Sequence, residues 1–145
     1  MLDWVPSAPY TAEQLLEVLR ILRDPENGCP WDKVQTHASI RKNFLEETCE
    51  ALEAIDADDA AMMREELGDV LLQVAFHADI AESAYEFTMQ DITTAIVHKM
   101  LYRHAHIFGN VHCDTPEEVA DSWEKLKKAE KGLMSQGSVL ADVSK

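Results

Sequence analysis

Cysteine is scarce and poorly placed for crosslinking. The chain has three, Cys29, Cys49 and Cys113, and no Cys-x-x-Cys. An odd, widely spaced set argues against a disulfide framework or a zinc finger, and a reducing cytoplasm is the compartment expected. Basic residues are scarce too, 13 Lys and Arg against 27 Asp and Glu, which gives a net charge of -14. Such a surface repels nucleic acid and anionic lipid, so neither a polynucleotide nor a membrane is expected as partner. A small anion stays possible where local cations hold it. Uncharged apolar runs of membrane-spanning length are missing. The first residues carry Asp3, Pro6 and Pro9 and lack the basic-then-apolar run of a signal peptide. Strand-like alternation, internal repeats and low-complexity blocks are absent as well.

What is present is helical periodicity in a chain of 145 residues, a length that fits one domain with a real core. Residues 1–10 read as an extended lead-in. Thr11 with Gln14 makes a capping box that opens a helix over about 11–23. Asp24-Pro25-Glu26-Asn27-Gly28 stops it, and Cys29-Pro30-Trp31-Asp32 continues as an ordered loop. Further helices are expected over about 38–56, 60–84, 89–104 and 116–131, the last opened by Thr115-Pro116-Glu117-Glu118. The domain spans 11–132, and 133–145 reads as a flexible tail. The fold class is all-α, about five helices in a four-helix-bundle-like core. Leu72, Phe76 and Ile80 add a second apolar stripe to the third helix, which implies more than one packing partner and a core completed by dimerisation.

Two acidic segments carry the chemistry, Glu46-Glu47-Thr48-Cys49-Glu50 and Glu65-Glu66-Leu67-Gly68-Asp69. Glu47 and Glu50 are three apart, as are Glu66 and Asp69, so each pair shares one side of its helix. On a wheel of about 100° per residue both pairs border the apolar arc, while Glu46 and Glu53 turn toward the polar side. The break between the helices centres near Asp58. Glu47 and Asp69 are each eleven residues from it, and Glu50 and Glu66 each eight. An antiparallel pair therefore brings all four carboxylates to one level, about 12–16 Å from the turn. A lone glutamate on a helix is usually a solvated acid, but four converging ones repel and call for a cation. An oxygen-only donor set favours Mg²⁺, with Mn²⁺ as a substitute, over zinc. Glu-x-x-His, the mark of di-iron bundles, does not occur. Gly68, costly inside a helix, suggests close packing or ligand approach.

Lys99 and Arg103 stand four apart on the stripe of Ile92 and Ile96, where a phosphate would explain them. Snorkelling or pairing with an acid is the plainer alternative. Trp123 and Lys127 repeat the pattern. His104, His106 and His112 near Cys113 match no common zinc spacing and read as structural.

These segments resemble the MazG-type nucleoside triphosphate pyrophosphohydrolases. The acid signature carries the resemblance together with Leu22-Arg23-Asp24-Pro25-Glu26-Asn27-Gly28-Cys29-Pro30-Trp31-Asp32, Gln35-Thr36, and Lys99-x-x-x-Arg103-His104-x-His106-x-Phe108-Gly109. It covers about residues 11–132. It departs from the family at Ala105, where proline is usual. The resemblance implies an all-α enzyme, a homodimer or higher homo-oligomer, that cleaves NTPs or dNTPs to monophosphate and pyrophosphate in nucleotide-pool housecleaning. It implies Glu47, Glu50, Glu66 and Asp69 as metal ligands, and Lys99 and Arg103 as triphosphate ligands. Trp123 and Lys127 would lie near the nucleotide, and Trp31 in the base pocket. Glu46 and Glu50 are both candidates for the base that activates water. The alternatives are a non-catalytic nucleotide- or partner-binding module and a pyrimidine-restricted dNTPase of the same superfamily.

Overall fold

A computed structural model of the chain describes Trp4 and residues 7–135. It is all-helical, with six α-helices and one 3-10 turn and no strand among the described residues. The helices are α1 (Ala12–Leu22), α2 (Arg41–Asp56), α3 (Ala60–Ser83), α4 (Met89–Arg103), α5 (Ala105–Phe108) and α6 (Pro116–Ser135), with the 3-10 turn at Asp32–Val34. Of the tail expected over 133–145, α6 takes the part up to Ser135, and the rest lies outside the described residues. Among the described residues no helix is long and apolar enough to cross a membrane.

The starts follow local chemistry. Thr11 and Gln14 exchange the reciprocal bonds of a capping box at α1. The Asp59 side chain accepts from Met62 N–H at α3, and Thr115 Oγ1 accepts from Glu118 N–H at α6. Each satisfies a backbone donor the helix leaves open. The turn between α2 and α3 pivots on Asp58, whose φ of 51° is left-handed, a region that Asp tolerates better than most residues.

The chain divides into two compact units, residues 1–89 and 90–145. In the first, α3 packs against both α2 and α1. Its core is Leu19, Ile40, Ala75, Phe76 and Ile80, with Leu15, Leu16, Leu72 and Met89 against it. The stripe of Leu72, Phe76 and Ile80 thus finds a partner within the chain, chiefly α1. Ala51 and Ala54 are the buried residues of α2. Leu52 and Ile55, expected on the same arc, stay about half exposed, as do Leu67 and Leu71 on α3.

The loop after α1 is held from inside. Arg23 Nη1 donates to Asp79 Oδ2 at 2.7 Å, Nε to the Asp32 carbonyl at 3.2 Å and Nη2 to the Gln35 carbonyl at 3.3 Å. Its guanidinium lies 5.6 Å from the Phe76 ring centre. Gly28 is required here. A Cβ on it would stand 2.4 Å from the Leu22 carbonyl oxygen and 2.5 Å from that of Asp24.

In the second unit α4, α5 and α6 bury little apolar surface. Glu130 is its only buried residue among those described. Ile96, Val97, Met100, Leu101 and Tyr102 of α4 are all exposed by two-fifths or more. The inward stripe expected from Ile92 to Lys99 is therefore not a buried one, and Lys99 is itself exposed. The α5 helix was not anticipated, because four residues show no period.

Candidate metal centre

The α2–α3 hairpin brings Glu47, Glu50, Glu66 and Asp69 together. Each offers a carboxylate oxygen, and the four lie within 4.8 Å of one another. Among the described residues this is the one group of acids, histidines or cysteines that converges so closely. Glu46 stands apart, exposed and 3.8 Å from Lys42 one turn back on the same helix.

The electrostatics show the strain of that convergence. Glu47 Oε2 and Glu66 Oε2 are buried with no hydrogen-bond partner among the described residues. Burial pushes both carboxyls above the usual glutamate range, and the charges of Glu50 and Asp69 push them further. Buried, unpartnered acceptors are costly and normally few. The residues present fit a hard divalent cation: oxygen donors only, two of them orphaned, with repulsion a cation would reverse. Gly68, between Glu66 and Asp69, has open space where a Cβ would go, with nothing within 4 Å. Packing among the described residues does not explain it.

The second unit arranges the other predicted residues. Arg103 donates through Nε, at 3.1 Å, and through Nη2 to Glu130 Oε2. Its guanidinium lies 5.2 Å from the Trp123 ring centre. Trp123 also meets the His104 ring edge-on at 5.1 Å, and His104 Nδ1 lies 2.8 Å from the Met100 carbonyl. These contacts accord with a structural role for His104. Lys127 is half-buried on α6. Sequence reasoning missed Glu130, because a buried acid within Lys127-Lys128-Ala129-Glu130-Lys131 carries no local mark. In the first unit Trp31, expected in a base pocket, is 53% exposed and meets Phe76 edge-on at 6.2 Å.

The chain is similar to known proteins. The MazG nucleotide pyrophosphohydrolase domain model matches residues 35–108. The chain is 49% identical over 128 residues to the uncharacterized protein YabN of Bacillus subtilis (strain 168), covering 88% of this chain and 26% of that one. It is 44% identical over 131 residues to the nucleoside triphosphate pyrophosphohydrolase of Escherichia coli (strain K12), covering 90% of this chain and 50% of that one. It thus spans half or less of the length of these relatives. Among solved structures, a mazG-related protein from Thermotoga maritima aligns with a TM-score of 0.65 at 28% identity, over 80% of this chain and 98% of that one. With the family model spanning half of the sequence and an all-helical fold presenting the acid quartet, the chain belongs to the MazG nucleotide pyrophosphohydrolase domain family.

Proposed function

We propose that the chain hydrolyses nucleoside triphosphates, ribo or deoxy, to the monophosphate and pyrophosphate. The observation that carries this is the carboxylate quartet with its orphaned oxygens. The name of the Escherichia coli relative supports it. Glu47, Glu50, Glu66 and Asp69 would hold Mg²⁺, or Mn²⁺ in its place. A bound divalent ion neutralises charge on the phosphate oxygens and lowers the barrier to attack at phosphorus.

The chain's own residues supply the rest. Glu50 orients the attacking water and takes its proton. It is favoured over Glu46, which faces away toward Lys42. Lys99 and Arg103 hold the triphosphate and stabilise the departing pyrophosphate, with Lys127 assisting. Trp123 fixes the face of Arg103, and Trp31 borders the base. The half-exposed Leu52, Ile55, Leu67 and Leu71 support assembly with a second copy as a homodimer or higher oligomer. Three free cysteines fit a reducing cytoplasm, with nucleotide-pool housecleaning as the role.

The test is pyrophosphate release from all eight common NTPs and dNTPs, with and without Mg²⁺, in wild type and Glu50→Gln. Mg²⁺-dependent release that falls at least about 10²-fold in the variant is expected. Unchanged turnover in Glu50→Gln removes the carboxylate mechanism. A rise in melting temperature with NTP and Mg²⁺ but no monophosphate identifies a binding module instead. Release confined to pyrimidines identifies a restricted dNTPase.

A further inference from the structure

Within the first unit lies a cavity of ≈ 490 Å³, lined by His37, Arg41, Phe44, Leu45, Thr48 and His77. It adjoins the carboxylate quartet by helical register. Glu47 lies three residues beyond Phe44 and directly before Thr48. On α3, His77 is eight residues beyond Asp69, about 12 Å along the axis. A molecule with its phosphates at the quartet would extend its other end into this space.

The two histidines form a relay. The ring planes are nearly parallel, 6° apart with centres at 5.0 Å, and the rings meet edge to edge with their Nδ1 atoms 2.7 Å apart. Phe44 meets His77 at 5.8 Å, tilted by 43°. The far nitrogen of His37, Nε2, lies 3.1 Å from Glu86 Oε1. Glu86 is placed by the turn that ends α3. There Glu86 N–H donates to the Ala81 carbonyl at 2.9 Å and Tyr85 N–H to that of Glu82 at 3.1 Å. This closing motif usually puts glycine at its left-handed position, yet Tyr85 occupies it with φ 60°.

The protons in this chain are fixed by elimination. An ionised carboxylate only accepts, so His37 Nε2 carries hydrogen. With one proton on each ring, His37 Nδ1 is then a lone pair, and His77 Nδ1 must donate to it. His77 Nε2 is left as an acceptor, with no partner among the described residues. We propose that this cavity receives the nucleobase of the substrate and that His77 Nε2 accepts a hydrogen bond from a base N–H, with His37 and Glu86 as positioning residues. The inference rests on reading the chain as a nucleoside triphosphate hydrolase. Arg41, the other polar wall, supplies donors for a neighbouring base lone pair. An N–H beside a lone pair occurs on every common base, so the site suits a broad enzyme rather than one restricted to pyrimidines. Protonation of His77 itself is disfavoured by burial and then by the neighbouring His37.

The deciding comparison uses three substrates: ATP, the triphosphate of unsubstituted purine riboside, and base-free ribose 5′-triphosphate. Wild type should favour ATP over the purine analogue by about tenfold in kcat/KM, mostly through KM. His77→Phe keeps an aromatic ring of similar shape and should level the two, with ribose triphosphate unaffected. His77→Asn repeats the test should the larger ring unfold the site. Glu86→Ala should erode the preference and Glu86→Gln, which can still accept from His37, should restore it. Equal loss on all three substrates, or a preference that survives His77→Phe, overturns the proposal. If wild type cleaves no triphosphate, the catalytic reading fails and the pocket is judged alone. Adenosine, but not purine riboside, must then shift the His77 ring resonance, and no shift overturns it.

Discussion

Each unit contains an arginine whose side chain is largely shielded, paired with an acid and set over an aromatic ring. In the first, Arg23 meets Asp79 above Phe76; in the second, Arg103 meets Glu130 above Trp123. The two differ in what the remaining donors do. Arg23 uses all three of its nitrogens, two of them on loop carbonyls. Arg103 directs Nε and Nη2 to one Glu130 oxygen and leaves Nη1 without a protein partner among the described residues. A guanidinium with every nitrogen engaged is a clamp. One that is oriented yet keeps a donor in hand can take a further anion. The surroundings agree, since Arg23 lies over Phe76 of the apolar core whereas the pair at Arg103 includes the only buried residue described in its unit.

The contrast can be broken by experiment. The largest expected effect is Arg23→Met, which strands Asp79 and two carbonyls. It should cost about 3–5 kcal/mol in urea unfolding, with kcat/KM per folded molecule little changed. Next is Arg103→Lys, which keeps the charge but loses the fork. It should lower kcat/KM for NTPs by about tenfold or more while the melting temperature moves little. If Arg103→Lys instead melts early and turns over normally, the two arginines are the same device.

A third expected outcome concerns the quartet. Glu47 and Glu66 have folded-state pKa values raised above the unfolded ones. Their contribution to stability is therefore fully present below the unfolded value and lost as pH rises through the folded one. His77, lowered in the fold, works oppositely, favouring the fold above its unfolded value and losing that as pH falls. Mg²⁺ should consequently raise the melting temperature by several degrees at pH 7.5 and by less near pH 5, since protons compete better with a cation at carboxylates whose pKa values are raised. An equal rise at both pH values would remove the cluster as the binding site. The smallest effect is Gly68→Ala. With open space at the Cβ position, it should stabilise the isolated chain by at most about 1 kcal/mol. Any accompanying loss of turnover or assembly would mark this face as one that a ligand or second copy approaches.

Much of this was legible in the residues. Thr11, Gln14 and Thr115 mark their helix starts because caps are local chemistry. The quartet was legible because helix rise and one turn at Asp58 fix its register. Glu130, His37, His77 and Glu86 were not. Their partners lie 27 to 49 residues away, and nothing local distinguishes a buried acid or a relay histidine from a solvated one. Exposure also escaped the wheel. Leu52 and Leu67 have core chemistry and core spacing but lie beyond the reach of the covering helices described.

The hairpin that pivots on Asp58 has a consequence for how the chain folds. All four carboxylates belong to one segment, 47–69, closed by a short turn. Contacts so local in sequence form early and cheaply. The repulsion among the acids is thus met on the way up the folding barrier, before the core of α1 and α3 is complete. Mg²⁺ should accordingly speed refolding as well as slow unfolding, with both arms of the chevron shifting. A cation effect confined to the unfolding arm would show that the acids converge only after the barrier is crossed.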